Sequence, residues 1–512
     1  MTHSPSRGGH AVVEDDAGVA SNRTIDSRGF VFVAFLVLLA VTIARHEMWR
    51  DEVQAWMIAR SSHSIGDVLH NIRYEGHPAL WYLVLFPISK LNRSPETMQV
   101  LQFVIAGANV GLVLKYAPFS KLQKALFCGG YYVIFDYGTI SRNYSLGFLF
   151  VTITCVIASS RHRWPWCGLP LALLACTSAF SSFVAVGLLL GLIVDEVVRH
   201  RRDENAAPLS RVVVAGALTF VALAAAYAEA SPRGDAGTYR AWKLSFDSGL
   251  AGSSVSAVTR ALAPLPKLQR AFWSTSLFDG HTAIVAVVGF LLFAGIAWSL
   301  RRSPGACVIW VSICAFVVLF LYSKIQYGNA SRYNGHIFLG LMAALWLAPT
   351  MARIGNAEAA VRARRLLWTA ILVLQLIAGM FAVGTDIRYP FSDGRRVAGY
   401  IDRHDLSDAV IIGVPDRTTL TVAAYLDRDL YYPNGRRFGQ YIVWNEARGN
   451  SVDTLGQAVA RFAKSVRPVL VVSDRALVFP PPGVRLRLLT SEPRPIVPDE
   501  RYWLYRVEYL VR

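Results

Sequence analysis

Residues 48–91 of the sequence read MWRDEVQAWMIARSSHSIGDVLHNIRYEGHPALWYLVLFPISKL. The acidic pair Asp51 and Glu52 follows directly after an apolar run. Glu75 and His77 stand ahead of a short aromatic run further along the same stretch. Acids, a histidine and arginines between apolar segments need a chemical reason, so we interpret this stretch as a functional loop at a membrane surface.

The composition indicates a membrane protein. The chain has 512 residues, 54% of them hydrophobic, and its mean hydropathy is +0.36. Uniformly apolar runs recur, many of them near the length that crosses a bilayer core of ~30 Å. The net charge of +17 fits basic residues crowding the inner loops of such a protein, and no nucleic-acid partner is expected. All six cysteines lie in or beside apolar runs, so neither a disulfide framework nor a zinc site is predicted.

The apolar runs predict a polytopic α-helical membrane protein with about eleven spans. The segment 78–91 is interrupted by Pro87 and is short for a span, so we interpret it as interfacial or re-entrant. Every predicted inner loop is then basic, as the positive-inside rule requires. The predicted spans are 29–44, 99–114, 125–137, 145–159, 167–180, 183–197, 212–228, 282–300, 306–322, 337–351 and 366–384.

This topology divides the chain into three parts. Residues 1–28 are polar and are predicted to be a disordered cytoplasmic tail. The transmembrane part covers 29–384 and has two long outer loops, 47–97 and 229–280. Residues 385–512 are predicted to form a soluble α/β domain on the outer face.

The α/β domain has recognisable elements but no motif that assigns chemistry to it. Buried strands are predicted at 410–414 and 469–473, and an alternating strand at 501–509. The predicted helices are 395–403, 418–426 and 455–466.

Three groups of polar residues are the candidates for chemistry. Asp51 or Glu52 is suited to act as a base that takes a proton from an acceptor hydroxyl, although acids after a span also simply mark a solvated loop. His77 precedes Trp81 and Tyr82, where it would donate to a phosphate or ligate a metal. An aromatic belt with a capping residue is the simpler alternative there.

The other two groups belong to later outer loops. Asp136, Arg142 and Tyr144 stand in one, and Lys324, Arg332 and Tyr333 in the other. Arginine's planar guanidinium suits phosphate binding, while a lone arginine at a span end often only reaches towards the interface. All three groups fall at one face of the membrane, whereas proton-coupled transporters tend to need ionisable groups in mid-membrane.

These residues resemble motifs of the GT-C superfamily of membrane glycosyltransferases. The similar branch holds bacterial relatives of protein O-mannosyltransferases, lipid A aminoarabinose transferases and rhizobial galacturonosyltransferases. Asp51-Glu52 follows the first span, residues 77–82 stand where the family often reads HPPLYY, and residues 141–144 resemble its SREARxY element. Residues 331–333 are similar to a later RY element. The resemblance covers roughly residues 30–350; Ala79 replaces the second proline, and the C-terminal domain is not general to the family.

The resemblance implies a sugar donor on polyprenyl phosphate and an inverting transfer to a hydroxyl of a lipid, glycan or protein at the outer face of a bacterial inner membrane. The N-terminus would be cytoplasmic and the C-terminus periplasmic or extracellular. Asp51 would be the base, and a divalent metal such as Mg²⁺ or Mn²⁺ would be a possible cofactor, with Asp51 and His77 as possible ligands. The other implied site residues are Glu52 and Glu75 for positioning, His77, Arg142 and Arg332 for the phosphate, and Asp136, Tyr144 and Tyr333 for substrate binding.

Two alternatives remain open from the sequence. A transporter or flippase for a lipid-linked sugar would need a cavity through the spans that is lined by polar groups. Gln102, Asn109 and Gln375 are the polar residues within the spans that could line one, and they are sparse. A non-catalytic scaffold that presents the C-terminal domain outside is the other alternative.

Overall fold

The structure is a computed structural model that describes residues 27–160, 163–237, 246, 248–323, 330–355, 358–491 and 494–510. The predicted tail at 1–28 falls almost entirely outside the described residues, and so does Lys324.

Helices fill most of the described chain before residue 389. A π-helical turn covers Tyr131–Asp136 between the sixth and seventh α-helices. The α-helices are α1 Ser27–Arg45, α2 Arg50–Ser61, α3 Ile65–Asn71, α4 Leu80–Leu91, α5 Glu96–Tyr116, α6 Lys121–Cys128, α7 Asn143–Ala158, α8 Gly168–Ala175, α9 Ala179–His200, α10 Leu209–Ala230, α11 Ser248–Leu262, α12 Thr282–Leu300, α13 Pro304–Tyr322, α14 Ser331–Leu347 and α15 Glu358–Arg388.

Seven helices in the described part of the chain are long and apolar enough to cross a membrane, namely α1, α5, α9, α10, α12, α13 and α15. The four other predicted spans hold shorter helical pieces, which are α6 with the π-helical turn, α7, α8 and α14. Each predicted span position is therefore helical. The prediction of a polytopic helical membrane protein is confirmed.

Small residues bring the helices close together. A Cβ atom at Gly191 of α9 would overlap the side chain of Ile309 and the backbone of Gly305 on α13. Close approach over glycine is a usual means of packing helices where lipid removes the hydrophobic driving force.

The C-terminal part forms one six-stranded mixed sheet, in the order β3-β2-β1-β4-β6-β5. Strands β2, β1 and β4 are parallel, and β3, β6 and β5 pair antiparallel. The prediction of an α/β region is confirmed, although three strands, β2, β3 and β5, were not predicted. The elements are α16 Gly394–Arg403, β1 Val410–Val414, α17 Asp416–Leu426, β2 Leu430–Tyr432, β3 Arg437–Gly439, α18 Ala447–Asn450, α19 Leu455–Arg461, β4 Val469–Ser473, β5 Val484–Ser491 and β6 Trp503–Tyr509.

Helix α2 lies between the membrane helices and this sheet. The Gln54 side chain donates to the carbonyl of Ile442 at 3.0 Å and accepts from its amide at 3.0 Å. The fully buried guanidinium of Arg60 donates to Ala424 O at 3.2 Å and to Gln440 Oε1 at 2.7 Å. Charge-assisted bonds from a buried arginine are lost at high cost, so they fix the sheet over α2.

Candidate active site

Asp51 lies in the first turn of α2, where the helix dipole favours a negative charge. The adjacent Glu52 is at the third helical position and accepts a hydrogen bond from the backbone amide of Trp49 at 3.1 Å. Such a bond satisfies one of the free amides at a helix start. Helix α2 therefore begins at a fixed residue, and its first turn holds Asp51 in a defined position.

Two arginines that are distant in the sequence, Arg142 just before α7 and Arg332 in α14, meet at the Asp51 carboxylate. Asp51 Oδ2 lies 3.5 Å from Arg142 Nη1 and 3.6 Å from Arg332 Nη2. Arg142 Nη1 also donates to the backbone carbonyl of Asp51 at 2.5 Å. Burial alone would raise the pKa of Asp51, but the charges of Arg142, Arg332 and Arg50 outweigh it and lower the pKa below its ordinary value. Asp51 is therefore ionised at neutral pH, and 31% of its side chain is exposed.

Asp51 faces a cavity of about 320 Å³ between the first long loop, the start of α7 and the C-terminal sheet. The predicted residues Glu75, His77 and Arg142 line it together with Asp51. The remaining lining residues are Arg50, Gln54, Ala55, Tyr74, Trp81, Tyr82, Asn143, Arg417, Leu420, Ile442 and Trp444.

His77 is neutral and Glu75 is only partly ionised in this cavity at physiological pH. Burial raises the pKa of Glu75 to about 7, although the hydrogen bond from Gln54 Nε2 at 2.9 Å opposes the shift. Burial and the charge of Arg142 lower the pKa of His77 to about 4. A neutral His77 offers a phosphate a single N–H donor, and the positive charge of the site comes from the arginines.

Aromatic rings hold both guanidinium groups in place. Arg142 Cζ lies 5.7 Å from the centre of the Tyr144 ring. Arg332 Cζ lies 5.0 Å from the Tyr333 ring and 5.6 Å from the Trp49 ring. These distances are within the range of cation–π attraction. The predicted residues Tyr144 and Tyr333 therefore support the arginines rather than line the cavity.

Besides these two tyrosines, Glu52, Asp136 and Arg332 also lie outside the cavity lining, although Arg332 contacts the Asp51 carboxylate. Glu52 is fully buried, and its Oε1 accepts from the amide of Ser141 at 2.6 Å. Its position follows from helix geometry, because neighbouring residues on α2 point in different directions. Asp136 closes the π-helical turn, is 1% exposed and bonds to Ser331 near Arg332.

Four cavity residues come from the C-terminal sheet region, to which the sequence assigned no chemistry. They are Arg417, Leu420, Ile442 and Trp444. Gln54 was also missed, although Asp51, Gln54 and Ala55 share the i, i+3, i+4 spacing of one helix face. That spacing could have predicted that Gln54 lies on the same face of α2 as Asp51. No local pattern indicated that the later domain folds back over the first loop.

The residues of the cavity do not fit a divalent-metal site. Asp51 is already paired with two guanidinium groups, whose charges repel a further cation. Throughout the residues that the structure describes, no three His, Cys, Asp or Glu side chains come together as a ligand set.

Neither a family model nor a curated protein matches the sequence significantly. Among solved structures, the crystal structure of ArnT from Cupriavidus metallidurans bound to undecaprenyl phosphate aligns with 93% of this chain and 97% of that chain. The TM-score is 0.53 and the sequence identity is 15%. The chain has the GT-C fold. The likeness at this identity extends to the fold, so the roles of residues must come from geometry.

Two weaker likenesses accompany it. The apo state of the same ArnT gives a TM-score of 0.47 at 14% identity and covers 93% of this chain and 97% of that chain. The cryo-EM structure of the arabinofuranosyltransferase AftD from Mycobacteria gives 0.39 at 14% identity and covers 95% of this chain and 40% of that chain. Within the GT-C fold of this chain, the Asp51 cavity lies beside the C-terminal sheet.

Proposed function

We propose that this chain is a membrane glycosyltransferase that moves a sugar from a polyprenyl-phosphate-linked donor to an acceptor hydroxyl. The observation that carries the proposal is the meeting of one ionised carboxylate with two arginines from separate parts of the chain, at 3.5 and 3.6 Å. The GT-C fold supports it, since the ArnT structure with that fold holds undecaprenyl phosphate.

Asp51 acts as the base in this mechanism. Its carboxylate takes the proton of the acceptor hydroxyl while that oxygen forms a bond to the anomeric carbon of the sugar. The bond from the anomeric carbon to the phosphate oxygen breaks, and its electron pair leaves with the polyprenyl phosphate. A single displacement from the opposite side inverts the anomeric configuration.

Arg142 and Arg332 stabilise the phosphate as its charge grows. Fixed donors aimed at a developing charge usually give the largest part of an enzyme's acceleration. The aromatic rings of Tyr144, Tyr333 and Trp49 keep these guanidinium groups positioned, so little reorganisation is needed. Glu75 and His77 remain proposed contacts to the substrates, because both line the cavity.

The experiment that tests this function is the Asp51→Asn variant in membranes of producing cells. Release of free polyprenyl phosphate from the lipid-linked sugar pool is measured against wild type. We expect a decrease of ~10²–10⁴-fold, the usual contribution of a general base, with unchanged amounts of membrane-inserted protein. Asp408→Asn, an exposed carboxylate of the C-terminal region, is the matched control. Wild-type release by Asp51→Asn would remove the assigned base.

A further inference from the structure

A second basic cavity lies at the end of α15 that is remote from the Asp51 site. Asp386, near the C-terminal end of α15, bonds to His46 beside the start of α2. Helix α15 has 31 residues and is therefore ~46 Å long at 1.5 Å per residue. That length exceeds a bilayer core of ~30 Å. The first turns of α15 thus lie on the opposite side of the membrane from the Asp51 site.

This cavity, called the basic groove below, has a volume of about 670 Å³. It lies where the starts of α6 and α15 meet the end of α14, and its wall contains three arginines and no carboxylate. Its lining residues are Pro118, Phe119, Ser120, Gln123, Leu345, Ala348, Pro349, Arg353, Val361, Arg364, Arg365, Leu366, Trp368 and Thr369.

Among the residues that the structure describes, the arginines of the groove have no anionic partner. None of the ion pairs in the described part of the chain involves Arg353, Arg364 or Arg365. Arg353 Nη2 only approaches the carbonyl of Pro349 at 3.5 Å. Three like charges around one cavity repel each other unless an anion lies between them.

A buried donor without an acceptor also lines the groove. Trp368 is 2% exposed, and its indole Nε1 has no hydrogen-bond partner within the described ranges of the chain. Its ring is held between Phe119 and Phe338, with both ring centres 5.5 Å away. Buried indole N–H groups usually find a partner, so an unmatched one at a cavity wall indicates a missing acceptor.

We propose that the basic groove binds the phosphate group of a membrane lipid. Guanidinium groups suit phosphate oxygens, the indole N–H adds a neutral donor, and Leu345, Val361 and Leu366 supply an apolar wall for an acyl or prenyl chain. Basic pockets between membrane helices are known to bind anionic headgroups. The positive-inside rule accounts for the side on which these arginines lie. It does not account for an acid-free cavity with a buried unsatisfied donor.

The test measures lipid binding to the purified full-length chain, independently of sugar transfer. Protein in phosphatidylcholine nanodiscs receives phosphatidylglycerol, undecaprenyl phosphate or inorganic phosphate, and bound lipid is quantified by native mass spectrometry. We expect Arg364→Ala with Arg365→Ala to lower the retained anionic lipid at least tenfold. Arg362→Ala is the control, because Arg362 is an exposed arginine of the same helix that lies outside the groove.

Replacing Trp368 by the non-natural residue 3-benzothienylalanine keeps the bicyclic ring and exchanges only the N–H for sulfur, so it separates ligand binding from folding. We expect wild-type thermal stability without added lipid and a threefold or larger loss of bound lipid phosphate. Preference for phosphatidylglycerol or for undecaprenyl phosphate identifies the lipid source, and either preference supports the proposal. Equal retention by the double variant and Arg362→Ala, or saturation by inorganic phosphate alone, would overturn it.

Discussion

His46 Nε2 lies 3.0 Å from Glu52 Oε2, and the other ring nitrogen of His46 lies 2.9 Å from Asp386 Oδ2. All three side chains are buried. Glu52 also accepts hydrogen bonds from the amides of Trp49 and Ser141. One buried network thus connects the start of α2, which carries Asp51, with the segment that leads to Arg142 and with the end of α15.

The first prediction is that His46→Gln destabilises the protein and removes part of its pH dependence. Burial opposes protonation of His46, but the charges of Asp386 and Glu52 outweigh it and raise its pKa from 6.5 to about 10. The stabilisation from this group is complete below pH 6.5 and is lost as the pH rises towards 10. Wild type should therefore lose stability between pH 7 and 10, a loss that His46→Gln should not show.

Thermal unfolding in detergent measures this difference. At pH 7, removing the cation from a buried ion pair should cost ~3–5 kcal/mol, and sugar transfer should fall because Asp51 and Arg142 lose their common anchor. His63→Gln, at an exposed histidine of the same loop, should change neither property. If the stability of His46→Gln depended on pH as that of wild type does, His46 would not be the group whose protonation stabilises the folded state.

The second prediction concerns Arg142→Lys and Arg332→Lys, which keep the charge but lose the planar fork. Hydrogen bonds to charged groups contribute ~1.5–3 kcal/mol, so each variant should weaken donor binding about 10–100-fold. Arg142→Lys should be the more severe, because Arg142 bonds to both the carboxylate and the backbone carbonyl of Asp51. The KM for the polyprenyl-linked donor measures the effect, and Arg475→Lys, at a surface arginine that is 75% exposed, is the control.

Contradictory outcomes for these arginines are easily recognised. If lysine at either position preserves the donor KM, the guanidinium geometry has no role in holding the phosphate. If only the turnover number falls while KM is unchanged, the arginine acts on the transition state alone.

The sequence predicted the meeting of residues that no local pattern joins. Asp51, Arg142 and Arg332 belong to three separate predicted outer loops, and the sequence predicts them at one membrane face because the basic inner loops fix the orientation of each span. In the structure, the guanidinium groups of both arginines lie within 4 Å of the Asp51 carboxylate. The predicted topology was sufficient to place these three residues at one face because a membrane restricts where polar groups lie.

The parts that the sequence did not predict depend on side-chain direction and on long-range docking. The sequence presents Asp51 and Glu52 as one acidic pair, but α2 starts at Arg50 and turns the Glu52 side chain into the protein. Arg417 and Trp444 reach the cavity only because the sheet docks on α2. Contacts between residues more than 360 positions apart produce no periodic sequence pattern in either segment, so the sequence alone does not predict them.

The third prediction is that Glu75→Gln stabilises the protein most at high pH. The folded-state pKa of Glu75 is about 7, against an ordinary 4.5, because burial disfavours the charged form. As the pH rises from 4.5 to 7, the unfolded chain ionises first, so the folded state loses stability, and the full loss is present above pH 7. The variant lacks this loss. Its melting temperature should exceed that of wild type more at pH 8 than at pH 5, and its transfer activity should lack the ionisation near pH 7.

An equal difference in melting temperature between variant and wild type at pH 5 and pH 8 would show that folding does not raise the pKa of Glu75. Asp408→Asn, at an exposed carboxylate of the C-terminal region, is the control for the loss of one negative charge.

The last prediction is that transfer does not depend on a divalent cation. A metal would neutralise the leaving phosphate, but Arg142 and Arg332 already place two positive charges within 3.6 Å of Asp51. Bringing a further dication to the same carboxylate is opposed by Coulomb repulsion from both guanidinium groups. Treatment of the purified protein with EDTA should therefore leave the rate within about twofold of the untreated rate by this electrostatic argument. Loss of transfer on chelation, with recovery on adding Mg²⁺ or Mn²⁺ but not Ca²⁺, would instead require Asp51 and His77 to rearrange into a metal site.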